Sequence, residues 1–293
     1  MASPRKRSSL EELGDDLVDA GSREHYDDAA LYDYEYRRRR ADVTFYRELA
    51  RQRLGAGGRI LELGAGSGRV SVPLARDGHT VTAVDQSAAM LAKLRTRAAA
   101  LPAAARARLD VVAGDLRTFT LPARVAAPYP LVIAAFNVLE HLYTRGEVAA
   151  CLARVAAYLA PGGAFAFDVQ MPDLAWLSRD PTKRWARTRF TDPSTGRAML
   201  YSTNHDYDPV GQIALIRLYY EPADGKPGPT RVVKLSQRKF FPAELEALVA
   251  HAGFRVSARY GDFSFAPLEA GAESQVLVCE RAEIRRRKSP SRR

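Results

Sequence analysis

The stretch Ile60-Leu61-Glu62-Leu63-Gly64-Ala65-Gly66-Ser67-Gly68-Arg69-Val70 decides the fold. Ile60, Leu61 and Leu63 make a short apolar run suited to a buried strand of a parallel sheet. Three glycines at alternate positions follow, and Val70, Val72 and Leu74 then begin a helical pattern. Strand, glycine turn and helix bring a backbone close to a ligand, because glycine lacks a Cβ and tolerates positive φ. The pattern describes a nucleotide-type site at the carboxyl end of a first strand. Position 69 is Arg, so the dinucleotide spacing G-x-G-x-x-G fails, and no Lys follows Gly68 as a phosphate loop requires. Glu62, two places before the first glycine, would repel pyrophosphate and suits a ligand carrying an amine.

Outward from that stretch the chain alternates. Thr80–Val84 reads as a second buried strand ending in Asp85, seventeen residues after Gly68. An acid at about this distance meets ribose hydroxyls, since a carboxylate can accept both hydroxyl protons. Ser87 reads as the N-cap of a helix with Met90 and Leu94 inward. Leu109–Ala113 makes a third strand closed by Gly114-Asp115-Leu116, and Leu131–Ala135 a fourth, followed by Phe136-Asn137-Val138-Leu139-Glu140-His141. A helix over Glu147–Leu159 and a Pro161-Gly162-Gly163 turn lead to a fifth strand, Ala164–Val169. This β-α alternation implies right-handed crossovers and a parallel sheet. The expected next helix is delayed to Pro242–Ala252, with strands at 253–260 and 275–281 after it.

Between them lies an insertion of β-prone segments, Trp185–Thr191, Arg197–Tyr207, Gly211–Glu221 and Arg231–Phe240, joined by turn chemistry such as Asp192-Pro193-Ser194-Thr195-Gly196. It reads as an antiparallel meander over the carboxyl edge of the main sheet. Phe190, Tyr201, His205, Tyr207, Arg217, Tyr219 and Arg238 give that cover aromatic and polar side chains. Upstream of the first strand, Leu10–Asp19 is amphipathic, residues 24–36 hold Tyr26, Tyr32, Tyr34 and Tyr36 among acids, and a helix is expected from Arg37 to about Arg53. The run Arg37–Arg40 reads as a solvated face.

Composition bounds the rest. Hydrophobic residues at 46% of 293 fit a globular chain with a full core, and no apolar run is long enough to span a bilayer. No apolar segment follows the charged residues at 5–7, so a secretory signal is not expected. Cys151 and Cys279 suit a reducing, cytoplasmic setting and packing roles. Of the net charge of +10, Arg5, Lys6 and Arg7 supply three, and Arg285, Arg286, Arg287, Lys288, Arg292 and Arg293 supply six, which leaves +1 for residues 10–283. That balance argues against a nucleic-acid partner. No metal ligation and no membrane partner are expected, and the oligomeric state is left open between monomer and homodimer.

The E-L-G-x-G-x-G motif with Asp85 and Gly114-Asp115 closely resembles the class I S-adenosylmethionine-dependent methyltransferases, over about residues 58–168. The resemblance implies an α/β fold, a doubly wound seven-stranded sheet (Rossmann-like) with one antiparallel member and an antiparallel β insertion after the fifth strand. Its divisions would be 1–23 (a basic tail, largely disordered, and a short helix), 24–169 (cofactor-binding core), 170–241 (lid), 242–282 (last helix and strands) and 283–293 (basic disordered tail). The implied cofactor residues for S-adenosyl-L-methionine are Glu62, Gly64, Ala65, Gly66, Gly68, Asp85, Gln86, Met90, Asp115, Leu116 and Asn137. Tyr36 or Arg40, with Tyr32 as a further candidate, would reach the methionine carboxylate; each tyrosine taken singly reads equally well as packing. The D-P-P-Y and N-P-P-Y signatures of DNA amino-methyltransferases, and a Cys nucleophile for cytosine, are absent after the fourth strand.

The layout is similar to small-molecule branches with a β-strand lid, such as aminosugar N-methyltransferases and, more distantly, glycine N-methyltransferase. The expected reaction is methyl transfer to N or O of a small-molecule acceptor lined by Tyr32, Tyr36, Asn137, His141 and Tyr201. His141 is either the general base or a helix-start residue that shapes the pocket. Rival readings are an RNA or protein methyltransferase that uses the basic tails, and a cofactor-binding partner subunit without activity. Removing residues 1–9 and 284–293 is expected to leave the thermal midpoint and cofactor affinity unchanged, because neither segment has an apolar pattern able to pack. Loss of turnover on a small acceptor after that truncation would instead favour a polymer substrate.

Overall fold

The computed structural model describes residues 15–125 and 127–282; the basic stretches 1–9 and 284–293 lie outside them. Before the sheet come α1 (Asp15–Gly21), α2 (Glu24–Asp27), α3 (Ala29–Glu35) and α4 (Ala41–Leu54). The alternating part follows: β1 (Arg59–Leu63), α5 (Ser71–Arg76), β2 (Thr80–Asp85), α6 (Ala88–Ala99), α7 (Ala103–Arg106), β3 (Leu109–Ala113), β4 (Tyr129–Ala134), α8 (Arg145–Tyr158) and β5 (Leu159–Gln170). A 3₁₀ turn, Val138–His141, follows β4. The insertion holds α9 (Leu174–Leu177), β6 (Trp185–Thr191), β7 (Ala198–Asp208), β8 (Ile213–Pro222) and β9 (Arg231–Arg238), and α10 (Pro242–His251), β10 (Phe254–Tyr260) and β11 (Ser274–Arg281) complete the chain.

The main sheet has the order β10-β11-β5-β4-β1-β2-β3. β11 runs antiparallel to both of its neighbours, and the β1, β2, β3, β4 and β5 pairings are parallel. Strand alternation sorts the core into two layers. Leu61, Leu63, Val132, Phe165, Phe167, Leu277 and Cys279 share one cluster with Val148, Cys151, Leu152 and Val155 of α8 and with Leu245 and Val249 of α10. Ile60, Leu131, Ile133, Ala164, Ala166, Val276 and Val278 share another with Phe45, Tyr46 and Leu49 of α4 and Leu74 of α5. Both cysteines are free and fully buried, consistent with packing roles. Among the described residues no helix is long and apolar enough to cross a membrane.

Three local features depart from the sequence reading. α4 begins at Ala41, and Arg37–Arg40 lie ahead of it in a turn over Tyr36–Arg38 and the link that follows, consistent with the cost of stacking like charges in a helix. The aromatic segment is helical: the Asp28 side chain accepts from the Leu31 amide at 2.9 Å and starts α3. The Pro161-Gly162-Gly163 turn lies inside β5, because pairing resumes across it: Tyr129 faces Leu159, Leu131 faces Ala164, and the residues between loop out with Gly162 at φ +70.

The second sheet is antiparallel in the order β6-β7-β8-β9, as the insertion's pattern implies. It reaches the core through the N-terminal helices. Ser236 of β9 donates to the Val18 carbonyl at 2.8 Å, and a Cβ on Gly21 would lie 2.7 Å from the Ser236 amide, so α1 needs glycine to approach. Leu31 of α3 packs with Ile216, Leu218 and Leu235. The Tyr220 hydroxyl donates to Glu35 at 2.7 Å.

A buried charge fixes the junction. Lys239, just after β9, is 2% exposed and donates to Glu140 (2.7 Å), Gln170 (2.6 Å) and Gln237 (2.9 Å). Three acceptors match the three ammonium protons. Glu140 also accepts from the Gln170 amide at 2.7 Å. Burial pushes the Glu140 carboxyl up, and Lys239 opposes that shift. Removing one partner strands the other. Lys239→Met is therefore expected to lower the unfolding free energy by about 3–5 kcal/mol in denaturant titration. Lys239→Met with Glu140→Leu should recover much of that loss. Equal destabilisation by the single and double variants would refute the staple.

Candidate active site

The glycine loop divides its work. Gly64, Gly66 and Gly68 all have positive φ, at 68°, 53° and 85°. A Cβ on Gly64 would lie 2.5 Å from Val138, and one on Gly68 would strike Leu94, whereas one on Gly66 would meet nothing within 4 Å. The outer two glycines let the loop pack on the 3₁₀ turn and on α6. The middle one opens onto free space. Ala65 is buried and donates from its amide to the Val84 carbonyl at 3.0 Å, tying the loop to β2.

Asp85 stands at the end of β2 beside this opening. One carboxylate oxygen accepts from the Gly66 amide (2.7 Å) and the other from the Ser87 amide (2.8 Å). Each oxygen keeps a lone pair for a further donor. Burial raises the Asp85 pKa, and the backbone bonds oppose the rise. Ser87 caps α6 as expected, accepting from the Met90 amide at 3.3 Å. Met90 is buried against Ala29 and Tyr32, and Gln86 is exposed.

Glu62 lies beneath the loop. Its carboxylate is buried and accepts from the Ser71 hydroxyl of α5, and burial pushes its pKa up to about 8. It braces the loop against α5 from below. Asp115 is engaged by a neighbour: Arg117 donates to it from the side chain (Nε, 2.9 Å) and backbone (2.8 Å), and bridges on to Glu147. The Arg117 hydrogen bonds hold the Asp115 carboxyl below its ordinary value. Leu116 is half-buried against the main core.

The tip of β4 is the most constrained backbone in the site. Phe136 and Asn137 sit consecutively at φ 69° and 61°, the left-handed region that disfavours a side chain. Both amides point to one buried carboxylate, that of Asp168 in β5, at 2.8 and 3.0 Å. The Tyr46 hydroxyl donates to the same group at 2.6 Å. Burial raises the Asp168 pKa to about 6, and the three hydrogen bonds work against that rise. Asn137 is buried as a result, one residue from the Val138 side chain that underlies Gly64.

Helices α2 and α3 roof the opening with rings. Tyr26, Tyr32, Tyr36, His25 and Phe136 pack edge-on or tilted at centroid distances of 4.7–6.5 Å. Tyr36 bonds His25 at 3.2 Å, and Tyr32 is buried. His141 joins this roof from below. Its Nε2 lies 2.6 Å from the Tyr26 hydroxyl, and its Nδ1 lies 3.3 Å from Tyr143, which in turn meets Ser236 Oγ at 2.5 Å. Burial, with the nearby His25 and Lys239 charges, pushes the His141 pKa down to about 4, so the imidazole is neutral at physiological pH.

The remaining sequence candidates lie further out. Arg40 is exposed on the flank of α4. Tyr201 belongs to the apolar face of the second sheet, 5.6 Å from Tyr220. His205 stacks on Trp176 at 3.6 Å and bonds its carbonyl, a structural use. Sequence reading missed Asp168 and the particular role of Tyr26. Asp168 lies inside β5, with partners 31 and 122 positions away, and the partner of Tyr26 lies 115 positions away, so neither left a local trace.

Residues 60–163 match the family model for a methyltransferase domain. The ubiquinone biosynthesis O-methyltransferase of Caulobacter sp. (strain K31) is 36% identical over 105 residues, which is 36% of this chain and 38% of that relative. The chain thus matches well under half the length of that curated relative. The CcbJ methyltransferase from Streptomyces caelestis superposes with a TM-score of 0.68 at 28% identity, covering 83% of this chain and 90% of that one. The glycopeptide N-methyltransferase MtfA, in its complex with S-adenosyl-L-methionine, shares the fold at a TM-score of 0.57 and 24% identity, over 82% of this chain and 87% of its own. With the strand order, the glycine loop and Asp85 in place, residues 60–163 resemble a class I, S-adenosylmethionine-dependent methyltransferase domain.

Proposed function

We propose that the chain transfers a methyl group from S-adenosylmethionine to a nitrogen or oxygen of a small-molecule acceptor, with nitrogen favoured. The observation that carries this reading is the Tyr26–His141 pair under the aromatic roof beside the glycine loop. The residues present fit the cofactor. Gly66 opens onto space for a close ligand, and Asp85 keeps a lone pair on each oxygen for ribose hydroxyls. Met90 and Leu116 offer apolar contact for a purine ring. The cofactor supplies a methyl group on a sulfonium, a leaving group that needs no activation.

The protein's own residues then have to align the acceptor, exclude water and take a proton. Helices α2 and α3, backed by the second sheet, exclude water. A neutral amine held in line by these residues would take the methyl group that the cofactor supplies, and the ammonium it becomes would have a proton to lose. Tyr26 Oη faces His141 Nε2, so the hydroxyl can pass its own proton to the imidazole while it accepts the one leaving the ammonium. An imidazole held near pKa 4 is a weak base. It is poorly matched to an alcohol before attack, and toward an ammonium, which holds its proton more tightly, it can serve only as a relay that hands the proton on to water. The roof and the near-neutral body favour a metabolite over a polymer.

Production of S-adenosylhomocysteine is expected with small amines and not with RNA or protein. The kcat–pH profile should show no break at the ordinary histidine value near 6.5, because His141 stays neutral until about pH 4. Tyr26→Phe and His141→Gln are each expected to lower kcat about tenfold or more with little change in cofactor affinity. A break near 6.5, or full activity in both variants, would overturn the assignment of this pair.

A further inference from the structure

Bordering the glycine loop at Gly68 and Arg69 lies a groove of about 670 Å³. One wall is the turn after α3 and the start of α4, with Arg37, Arg39, Arg40 and Arg47; the other is the loop and α5, with Arg69 and Arg76, and Arg97 of α6 adds a seventh guanidinium. Its acids are Asp33 and Asp77. This is a steep concentration of charge in a body whose net charge between the tails is +1.

The carboxylates are already committed. Arg47 takes both oxygens of Asp77 at 2.6 and 2.7 Å, Arg97 pairs with Asp33 at 2.7 Å, and Arg69 pairs with the buried Asp42. Among the described residues, Arg37, Arg39, Arg40 and Arg76 have no carboxylate within salt-bridge distance. Two of them are held by stacking: Arg37 lies 3.6 Å from the Tyr34 ring centroid and Arg39 4.7 Å from that of Phe136. Arg37 also donates from Nη1 to the Tyr34 carbonyl, and the remaining N–H groups of these guanidiniums are left for a ligand.

We infer that this groove binds a small ligand through a diphosphate group, with Arg37, Arg39, Arg40 and Arg76 as the binding side chains. Planar guanidinium groups accept phosphate oxygens two at a time, and cations on two facing walls suit two linked phosphates better than one. The volume is that of an ordinary small-ligand site. The site goes beyond the methyl-transfer reading: its lining includes neither Asp85 nor His141, and it borders the loop at Gly68 and the cofactor candidates Tyr36 and Arg40. A free diphosphate and a nucleoside diphosphate share this chemistry.

Titration of the full chain by calorimetry at low salt separates the outcomes, with inorganic pyrophosphate and a nucleoside diphosphate in parallel and single-stranded DNA as a third probe. At least one diphosphate should bind, more weakly as salt rises, and the tighter of the two names the source. Arg37→Ser with Arg76→Ser should weaken binding about tenfold or more while S-adenosylhomocysteine affinity stays unchanged, which also shows that the variant is folded. No diphosphate binding, equal binding by the variant, or binding of DNA alone would overturn the assignment.

Discussion

A single buried carboxylate holds the site in shape. Asp168 accepts two consecutive backbone amides from a strand tip whose residues both occupy the left-handed region, and a tyrosine hydroxyl from the helix behind it. Left-handed backbone at a phenylalanine and an asparagine costs about 1–3 kcal/mol each, and it persists where the surroundings over-determine it. Here they do. The tip in turn sets Val138 under Gly64, Glu140 toward Lys239 and His141 toward Tyr26. The glycine loop, the hinge of the second sheet and the candidate proton acceptor therefore share one anchor.

The charges divide by burial. Under the roof the ionisable groups are pushed toward neutrality: His141 downward, Glu62 upward, and the tyrosines upward by burial. A dry compartment with neutral groups suits a reaction whose charge arrives with the cofactor and leaves as a proton. On the outer flank the arginines are exposed and mostly unmatched, which suits recognition of an anion. The second sheet stacks on α1–α3, and α3 meets the glycine loop where the Ser67 hydroxyl donates to Asp33 at 2.6 Å. A cover of two layers makes the N-terminal helices part of the site.

Much of this was legible in the sequence. The strands could be read because each carries a period of two or a short apolar run, and Asp85 and Ser87 because local spacing fixes their roles. The insertion's strands were bounded by turn residues and fell within a residue or two of their observed limits. Arg37–Arg40 read correctly as exposed, but the groove they line depends on the opposing wall of α5. Tyr26, Asp168 and Lys239 were not singled out because their partners lie 115, 31 and 99 positions away. Such pairings are set by topology and leave no mark in a window of neighbouring residues. Glu62 shows the converse: the motif placed it near the cofactor, and packing against Ser71 put it under the loop.

The central claim is that Gly64–Gly68 and Asp85 form a working S-adenosylmethionine site. Calorimetry with S-adenosylhomocysteine on the wild-type chain and on Asp85→Ala tests it most directly. The account predicts one-site binding to the wild type and a loss of about 1–3 kcal/mol in the variant, from the two ribose hydroxyls left without an acceptor. Binding of NAD with no response to either adenosyl ligand, or an Asp85→Ala variant as tight as the wild type, would contradict it.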